Sequence, residues 1–193
     1  MLLALFLFVA LMVGTPGPAN MLLMSAGARY GLRASLRFIF GVTAGKFLLN
    51  GVIALGLYDL LRAMPMLFEM LTYISALFMI WLSFSMIHGS KDAAAFSEPP
   101  GFSNGLMVHP LNPKAWAMLT IAWSSYGSIF DDPWLRFAFI AGIFLGVQLV
   151  FHSLWCYAGA RLIKMLPSER SRYLVEVMLA LMTVALVLLI VFF

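Results

Sequence analysis

Charge is what this sequence has least of. Only 10% of its 193 residues are Asp, Glu, Lys or Arg, whereas 63% are hydrophobic and the mean hydropathy is +0.99. A water-soluble domain of this size cannot cover its surface with so few charges, which leaves the bilayer as the solvent. Cysteine is nearly absent as well. The single Cys156 lies inside an apolar run, so an internal disulfide and a thiol relay are both excluded. Three histidines and that cysteine are scattered over different segments, without the spacing of a metal site. Ser153 adjoins His152, but neighbours on a helix point apart and no Gly-x-Ser-x-Gly sequence accompanies them, which argues against a serine hydrolase. No cofactor is implied, and the chain is not expected to be an enzyme. The net charge of +4 would suit nucleic acid, yet the basic residues sit between apolar runs and read as topology signals, so nucleic acid is not an expected partner.

Apolar sequence is what the chain has in abundance. Six runs can be drawn, from Leu2 to Ala28, Leu36 to Leu61, Met66 to His88, Gly105 to Tyr126, Trp134 to Leu162 and Tyr173 to Phe193. Each reaches the roughly 20 residues that a helical crossing needs. The prediction is an all-α integral membrane protein of six transmembrane helices forming one domain over residues 1–193. The longest polar break, Gly89 to Asn104, contains Ser97-Glu98-Pro99-Pro100-Gly101 and reads as a loop. No Lys or Arg precedes the first run and no small-residue cleavage site follows it, so it is taken as a retained span. The breaks after spans one, three and five hold Arg29, Arg33, Arg37, Lys91, Arg161, Lys164, Arg170 and Arg172, against Arg62 and Arg136 after spans two and four. Cations resist translocation, so this sorting predicts both termini outside the cytoplasm.

The two halves, about 1–88 and 105–193, resemble each other. Gly41-Val-Thr-Ala-Gly45 in span two is matched by Gly142-Ile-Phe-Leu-Gly146 in span five, and spans one and four are both interrupted by proline. With three helices per half, the second copy runs inverted, an arrangement that places a site at the repeat interface. Close helix packing explains the glycine steps equally well.

Span one is broken at Thr15-Pro16-Gly17-Pro18-Ala19-Asn20. Two prolines remove amide donors there, and the glycine loosens the backbone. Carbonyls before such a break and amides after it find no partner in hydrocarbon, so they face protein or a polar cavity. Span four repeats the device at His109-Pro110-Leu111-Asn112-Pro113-Lys114. An ammonium at mid-bilayer costs roughly 2.5 to 3.5 kcal/mol on insertion scales, which makes Lys114 a functional candidate. Span two contributes Lys46 and Asn50, and span five Gln148 and His152, each pair spaced i to i+4 on one helical face. His152 taken alone reads as a hydrogen-bonded packing residue. No carboxylate falls near the middle of any span. Asp59, Glu69, Asp92, Glu98, Asp131, Asp132 and Glu169 lie in loops or near span ends, and Glu176 is spaced to pair with Arg172. Polar groups from four spans at similar depth, cationic and edged by amide-rich helix ends, suit a small carboxylate-bearing solute and not a metal cation.

These motifs carry a resemblance. Thr15-Pro16-Gly17-Pro18, the four-residue glycine step of span two and Asn112-Pro113-Lys114 together resemble the lysine exporter (LysE/RhtB) family, over essentially the whole chain. The resemblance implies proton-driven export of amino acids or related metabolites across a bacterial inner membrane, with Pro16, Gly17, Pro18, Asn112, Pro113 and Lys114 as signature positions. Lys46 departs from the acidic or apolar residue often found after that glycine, and two roles are open to it: exchanging protons or holding the substrate carboxylate. The expected site comprises Pro16, Gly17, Pro18, Asn20, Lys46, Asn50, Asn112, Pro113, Lys114, Gln148 and His152. The expected partners are the amino acid, protons and membrane lipid, with homo-oligomerisation open. A membrane-embedded scaffold without transport activity is the alternative, although a scaffold gains nothing from midplane lysines. A channel is disfavoured because no ring of like residues or filter-like repeat occurs.

The charge sorting yields a first test. Single cysteines placed beside Arg33 and Lys91 are expected to resist membrane-impermeant thiol reagents in intact cells, while one beside Asp131 reacts. The opposite labelling pattern would reverse the topology.

Overall fold

The computed structural model describes residues 1–57, 63–85, 87 and 98–192. The regular elements among them are helical: α1 (Leu2–Gly14), α2 (Pro18–Ala34), α3 (Leu36–Val52) continued by a π turn (Ile53–Leu57), α4 (Pro65–Ser85), α5 (Phe102–Leu106), α6 (Pro113–Tyr126), α7 (Pro133–Lys164) and α8 (Glu169–Phe192). The expected ends of spans two, three and six at Leu61, His88 and Phe193 lie outside the described residues, as do Asp59, Arg62, Lys91, Asp92 and loop residues 89–97.

Four of these helical stretches are long and apolar enough to cross a membrane: Leu36–Gly56, Met66–Ser85, Pro133–Lys164 and Glu169–Phe192. The pair α1 and α2, bent by 54° at the Thr15-Pro16-Gly17 break, makes a fifth when counted as one span. The fourth apolar run is built differently. Helix stops at Leu106, a turn occupies residues 107–111, Asn112 is extended, and helix resumes only at Pro113. Pro110 and Pro113 have no amide hydrogen to donate back, so neither can sit inside a helix without cost, but Pro113 fits the first helical position, where no partner is required. The 14 residues of α6 measure about 21 Å, less than the hydrocarbon thickness of about 30 Å.

The buried apolar core is divided. One cluster joins Leu22, Leu23 and Ala26 of α2 with Phe38, Ile39 and Val42 of α3, Met79 and Leu82 of α4 and Cys156 of α7. A second joins Leu5, Val9 and Val13 of α1 with Leu49 of α3, Leu119 of α6 and Ile140 and Phe144 of α7. On α3 the buried polar residues Thr43, Lys46 and Asn50 fall at or beyond the edge of the first cluster and beside the second. On α7, Gln148 and His152 fall between Val147 of one cluster and Cys156 of the other. A polar layer therefore separates two greasy ones.

Glycine makes the closest approaches. A Cβ at Gly27 would strike the carbonyl of Cys156, and one at Gly159 the carbonyl of Met24, so α2 and α7 cross backbone to backbone. Gly41 and Gly45 likewise press on the carbonyls of Phe102 and Leu106. Gly142 and Gly146 have nothing within 4 Å of a built Cβ and open onto an apolar groove beside α1. The two four-residue glycine steps matched between the halves thus occupy different surroundings, one packed and one open. Gly31, at φ +79°, kinks α2 one turn before its end in a conformation that side chains rarely adopt.

Gly27→Ala is therefore expected to destabilise the detergent-solubilised protein by at least about 1–3 kcal/mol, the range for overpacking. Gly142→Ala is expected to leave thermal unfolding unchanged. Equal effects of the two substitutions would refute this account of the packing.

Candidate functional site

The break in span one determines where the site residues go. Helix α1 ends at Gly14, and Thr15 satisfies only two of its last carbonyls, its amide donating to Leu11 and its hydroxyl to Met12 at 3.0 Å. Two side chains from elsewhere supply the donors. Asn20, one turn into α2, donates its side-chain amide to the carbonyls of Val13 at 2.7 Å and Thr15 at 2.9 Å. Lys114, ninety-nine residues on from Thr15, donates its Nζ to Thr15 Oγ1 at 2.8 Å, to the Pro16 carbonyl at 3.1 Å and to the Thr15 carbonyl at 3.3 Å. Three acceptors match the three hydrogens of an ammonium. The cation also faces the negative end of the α1 dipole. Gly17 makes the reach possible, since a Cβ there would lie 2.9 Å from Lys114 Cδ and 3.0 Å from Nζ. Thr15 and Pro16 are exposed, whereas Gly17, Pro18 and Asn20 are buried.

The break in span four is closed by local residues. Asn112 caps α6, its Oδ1 accepting from the Lys114 amide at 3.0 Å, and its carbonyl accepts from the Ala115 amide at 2.9 Å. Helix α2 has no such cap: its first flanking residue is Gly17, which has no side chain to accept from the amides of Ala19 and Asn20. Both helices carry proline at the first position, Pro18 and Pro113, and both begin at the wall of one cavity.

That cavity is lined by Gly17, Asn20, Asn112, Lys114, Gln148 and His152 among the residues singled out from sequence, together with His109 and apolar side chains including Met12 and Met118. The centre of a water molecule can move through about 20 Å³ of it, room for one water and not for an amino acid. Its polar wall is built by α7 and the turn before α6. Gln148 Nε2 lies 3.1 Å from His109 Nε2, the His109 and His152 rings stack with centroids 5.5 Å apart, and His152 Nδ1 lies 3.2 Å from Thr43 Oγ1. With the Gln148 amide donating, His109 Nε2 is the acceptor and its hydrogen sits on Nδ1. Gln148 Oε1 and His109 Nδ1, both buried, have no partner. A buried acceptor and a buried donor are thus left over, each at a cost of order 1–3 kcal/mol.

Lys46 and Asn50 do not line this cavity. Lys46, fully buried, donates to the Ala115 carbonyl at 3.1 Å and lies 5.1 Å from the centre of the Phe144 ring. Asn50 joins the Lys46 carbonyl at 3.3 Å to the Trp123 indole at 3.1 Å. Both stand one layer behind, holding α3 to α6, because α6 interposes its first turns. Pro16 contributes its carbonyl to Lys114, and Pro18 and Pro113 contribute helix starts. Three residues escaped the sequence reading. His109 lies inside the proline-interrupted motif of span four, Thr43 lies three and seven residues before Lys46 and Asn50 on the same helical stripe, and Thr15 begins the interrupted motif of span one.

A membrane chain whose interrupted helices meet at a small polar cavity has an architecture that many solute transporters share. The family follows from comparison. The LysE type translocator model matches residues 9–192, and the chain belongs to that family: it is a multi-pass membrane transporter and not an enzyme. An uncharacterized membrane protein of Pseudomonas aeruginosa is 29% identical over 170 residues, covering 80% of this chain and 77% of the relative. A leucine efflux protein of Klebsiella pneumoniae is 26% identical over 107 residues, or 52% of this chain and 50% of the relative. A cysteine/O-acetylserine efflux protein of Salmonella choleraesuis is 31% identical over 90 residues, 46% of each. The chain matches only about half the length of these two efflux proteins. No solved structure matches it.

Asn20 and Lys114 share the Thr15 carbonyl, so their contributions are coupled. Asn20→Ala and Lys114→Met are each expected to cost about 1–3 kcal/mol of stability in detergent, and the double variant less than the sum of the two. Strict additivity in thermal or denaturant unfolding would show that the two do not act on one helix end.

Proposed function

We propose that this protein exports amino acids or closely related carboxylate metabolites from the bacterial cytoplasm across the inner membrane, by alternating access around the cavity between α2, α6 and α7. The observation that carries the reading is the division of labour on the cavity wall. One side offers donors, the uncapped amides of Ala19 and Asn20, and beside them stands the Lys114 ammonium, whose hydrogens a ligand would have to take from Thr15 or Pro16. The other offers Gln148 Oε1, an acceptor with no partner. A zwitterion presents a carboxylate and an ammonium two bonds apart and satisfies both sides. The substrate site is thus Gly17, Asn20, Asn112, Lys114, Gln148 and His152, with His109 added. Pro16, Pro18 and Pro113 shape it, and Lys46 and Asn50 support it from behind.

The wider architecture belongs to the same proposal. The five apolar helical stretches and the α5–α6 segment, residues 102–126, make six crossings with both termini extracytoplasmic. Two inverted repeats, about 1–88 and 105–193, are supported by the parallel construction of α2 and α6, each opened by proline at the cavity wall. Proton coupling, where it operates, falls to His109, His152 or Lys114, because among the described residues no carboxylate lines the cavity. The related leucine and cysteine/O-acetylserine efflux proteins make leucine, cysteine and O-acetylserine the first substrates to try.

The test is efflux of these solutes from preloaded proteoliposomes under an imposed pH gradient. Gln148→Leu and Lys114→Ala are each expected to lower the efflux rate tenfold or more, with Gln148→Leu retaining the folded protein. Undiminished efflux in both variants would remove the proposed site, and no efflux of any amino acid by the native protein would remove the function.

A further inference from the structure

A second concavity lies at the far end of α2, away from the polar cavity and separated from it by the packed layer of Leu22, Leu23 and Ala26. There the ends of α2 and α7 and the start of α8 enclose a broad open cleft of about 1200 Å³. Six cations line it: Arg29, Arg33, Arg161, Lys164, Arg170 and Arg172. Against them stand two carboxylates, Glu169 and the buried Glu176. Half of the chain's twelve basic residues thus surround one concavity, and its lining carries a net positive charge.

Topology accounts for cations at this end of the bundle, and what sets this cleft apart is that the lipid-facing stripes of two helices lead into it. On α7 the exposed residues Val150, Leu154 and Tyr157 lie at i, i+4 and i+7 and lead to exposed Arg161 at i+11. On α8 exposed Arg170 is followed, at steps of four, four and three residues, by exposed Leu174, Met178 and Leu181. Each helix therefore carries an apolar outer stripe that ends in an arginine of the cleft. Tyr157 and Tyr173 stand at the junction, where amphipathic rings sit at headgroup level. The Arg161 guanidinium lies 5.9 Å from the centre of the Tyr157 ring, which holds it over the stripe.

We propose that this cleft is a binding site for the headgroup of an anionic phospholipid, its phosphate held by Arg161 and Arg170 and its acyl chains laid along the stripes of α7 and α8. A zwitterionic amino acid has no net charge for such a concentration of cations to attract, whereas a phosphodiester accepts from several guanidinium groups at once. The site is independent of the transport reading and requires only that the chain lies in a bilayer.

The experiment uses the full chain purified in neutral detergent. Phosphatidylglycerol, phosphatidylcholine and glycerol phosphate are each titrated in, and the thermal unfolding midpoint is followed. Phosphatidylglycerol is expected to raise the midpoint saturably and phosphatidylcholine to leave it unchanged. Arg161→Gln or Arg170→Gln should raise the half-saturating lipid concentration about fivefold each, and Arg37→Gln, an exposed cation outside the cleft, should not. Equal stabilisation by the two lipids, or equal weakening by Arg37→Gln, would overturn the site in favour of a diffuse surface field. Stabilisation by glycerol phosphate matching that of the lipid would overturn it in favour of a soluble anion.

Discussion

Hydrocarbon offers no hydrogen bonds to a backbone, and that constraint organises this molecule. Once Pro16 and Pro18 interrupt the first apolar run, the last carbonyls of α1 have to be met by protein. Thr15 meets the carbonyls of Leu11 and Met12, Asn20 meets those of Val13 and Thr15 from the next helix, and Lys114 meets those of Thr15 and Pro16 from a segment nearly a hundred residues later. The last of these contacts is long-range, so the requirement of one local break dictates a tertiary contact: α6 must present its first turn to the end of α1. The span-four break follows from the same rule. A continuous helix through His109–Lys114 would carry Pro110 and Pro113 in its interior, and the restart at Pro113 is what places Lys114 in the first turn, within reach of Thr15.

Other features inherit their positions from that contact. With α6 fixed against α1, its cap Asn112 and the preceding turn residue His109 face Gln148 and His152 on α7, and the polar side chains of three segments close around one small cavity. The apolar core is consequently split into two clusters, because none of these side chains can be buried among leucines without partners. Lys46 illustrates the cost of the arrangement. Its ammonium is fully buried and met by one carbonyl and a ring face, and it lies directly behind the first turn of α6. It serves that turn as a prop, which explains why it and Asn50 stand outside the cavity.

Much of this was legible in the residues. Interruption of spans one and four could be read from Pro16, Gly17, Pro18 and Pro113, because proline's missing donor is a local property that no tertiary context changes. The candidacy of Lys114, Gln148 and His152 followed from the energetic penalty on polar groups in apolar runs. What could not be read was which polar groups meet. Lys46 and Lys114 have equal claims by composition and depth, and only the tertiary placement of α6, which carries Lys114 on the cavity wall and turns its Ala115 carbonyl to Lys46, separates them. The glycine steps show the same limit. Gly41 and Gly142 have the same spacing signature, yet one presses on the Phe102 carbonyl and the other touches nothing, since spacing reports a small surface and not its occupant. His109 was passed over because its partner, Gln148, is thirty-nine residues away on another helix.

The small size of the cavity then bears on how transport would proceed. All three donors of Lys114 are committed to the end of α1, so a substrate carboxylate reaches that ammonium only by displacing Thr15 or Pro16 oxygens. Displacement frees the end of α1, while the uncapped amides of α2 offer the carboxylate a place that the amides of α6, already satisfied by Asn112, do not. On the proposed reading the two halves of the first span would therefore part as the ligand binds, and the room an amino acid needs would come from that separation. Binding and opening would be one exchange of hydrogen bonds, in which a carboxylate oxygen takes the place of a neutral Thr15 or Pro16 oxygen on the same cation. The energy of freeing the end of α1 would then offset part of the gain from the ion pair, and a ligand held less tightly for that reason can leave again.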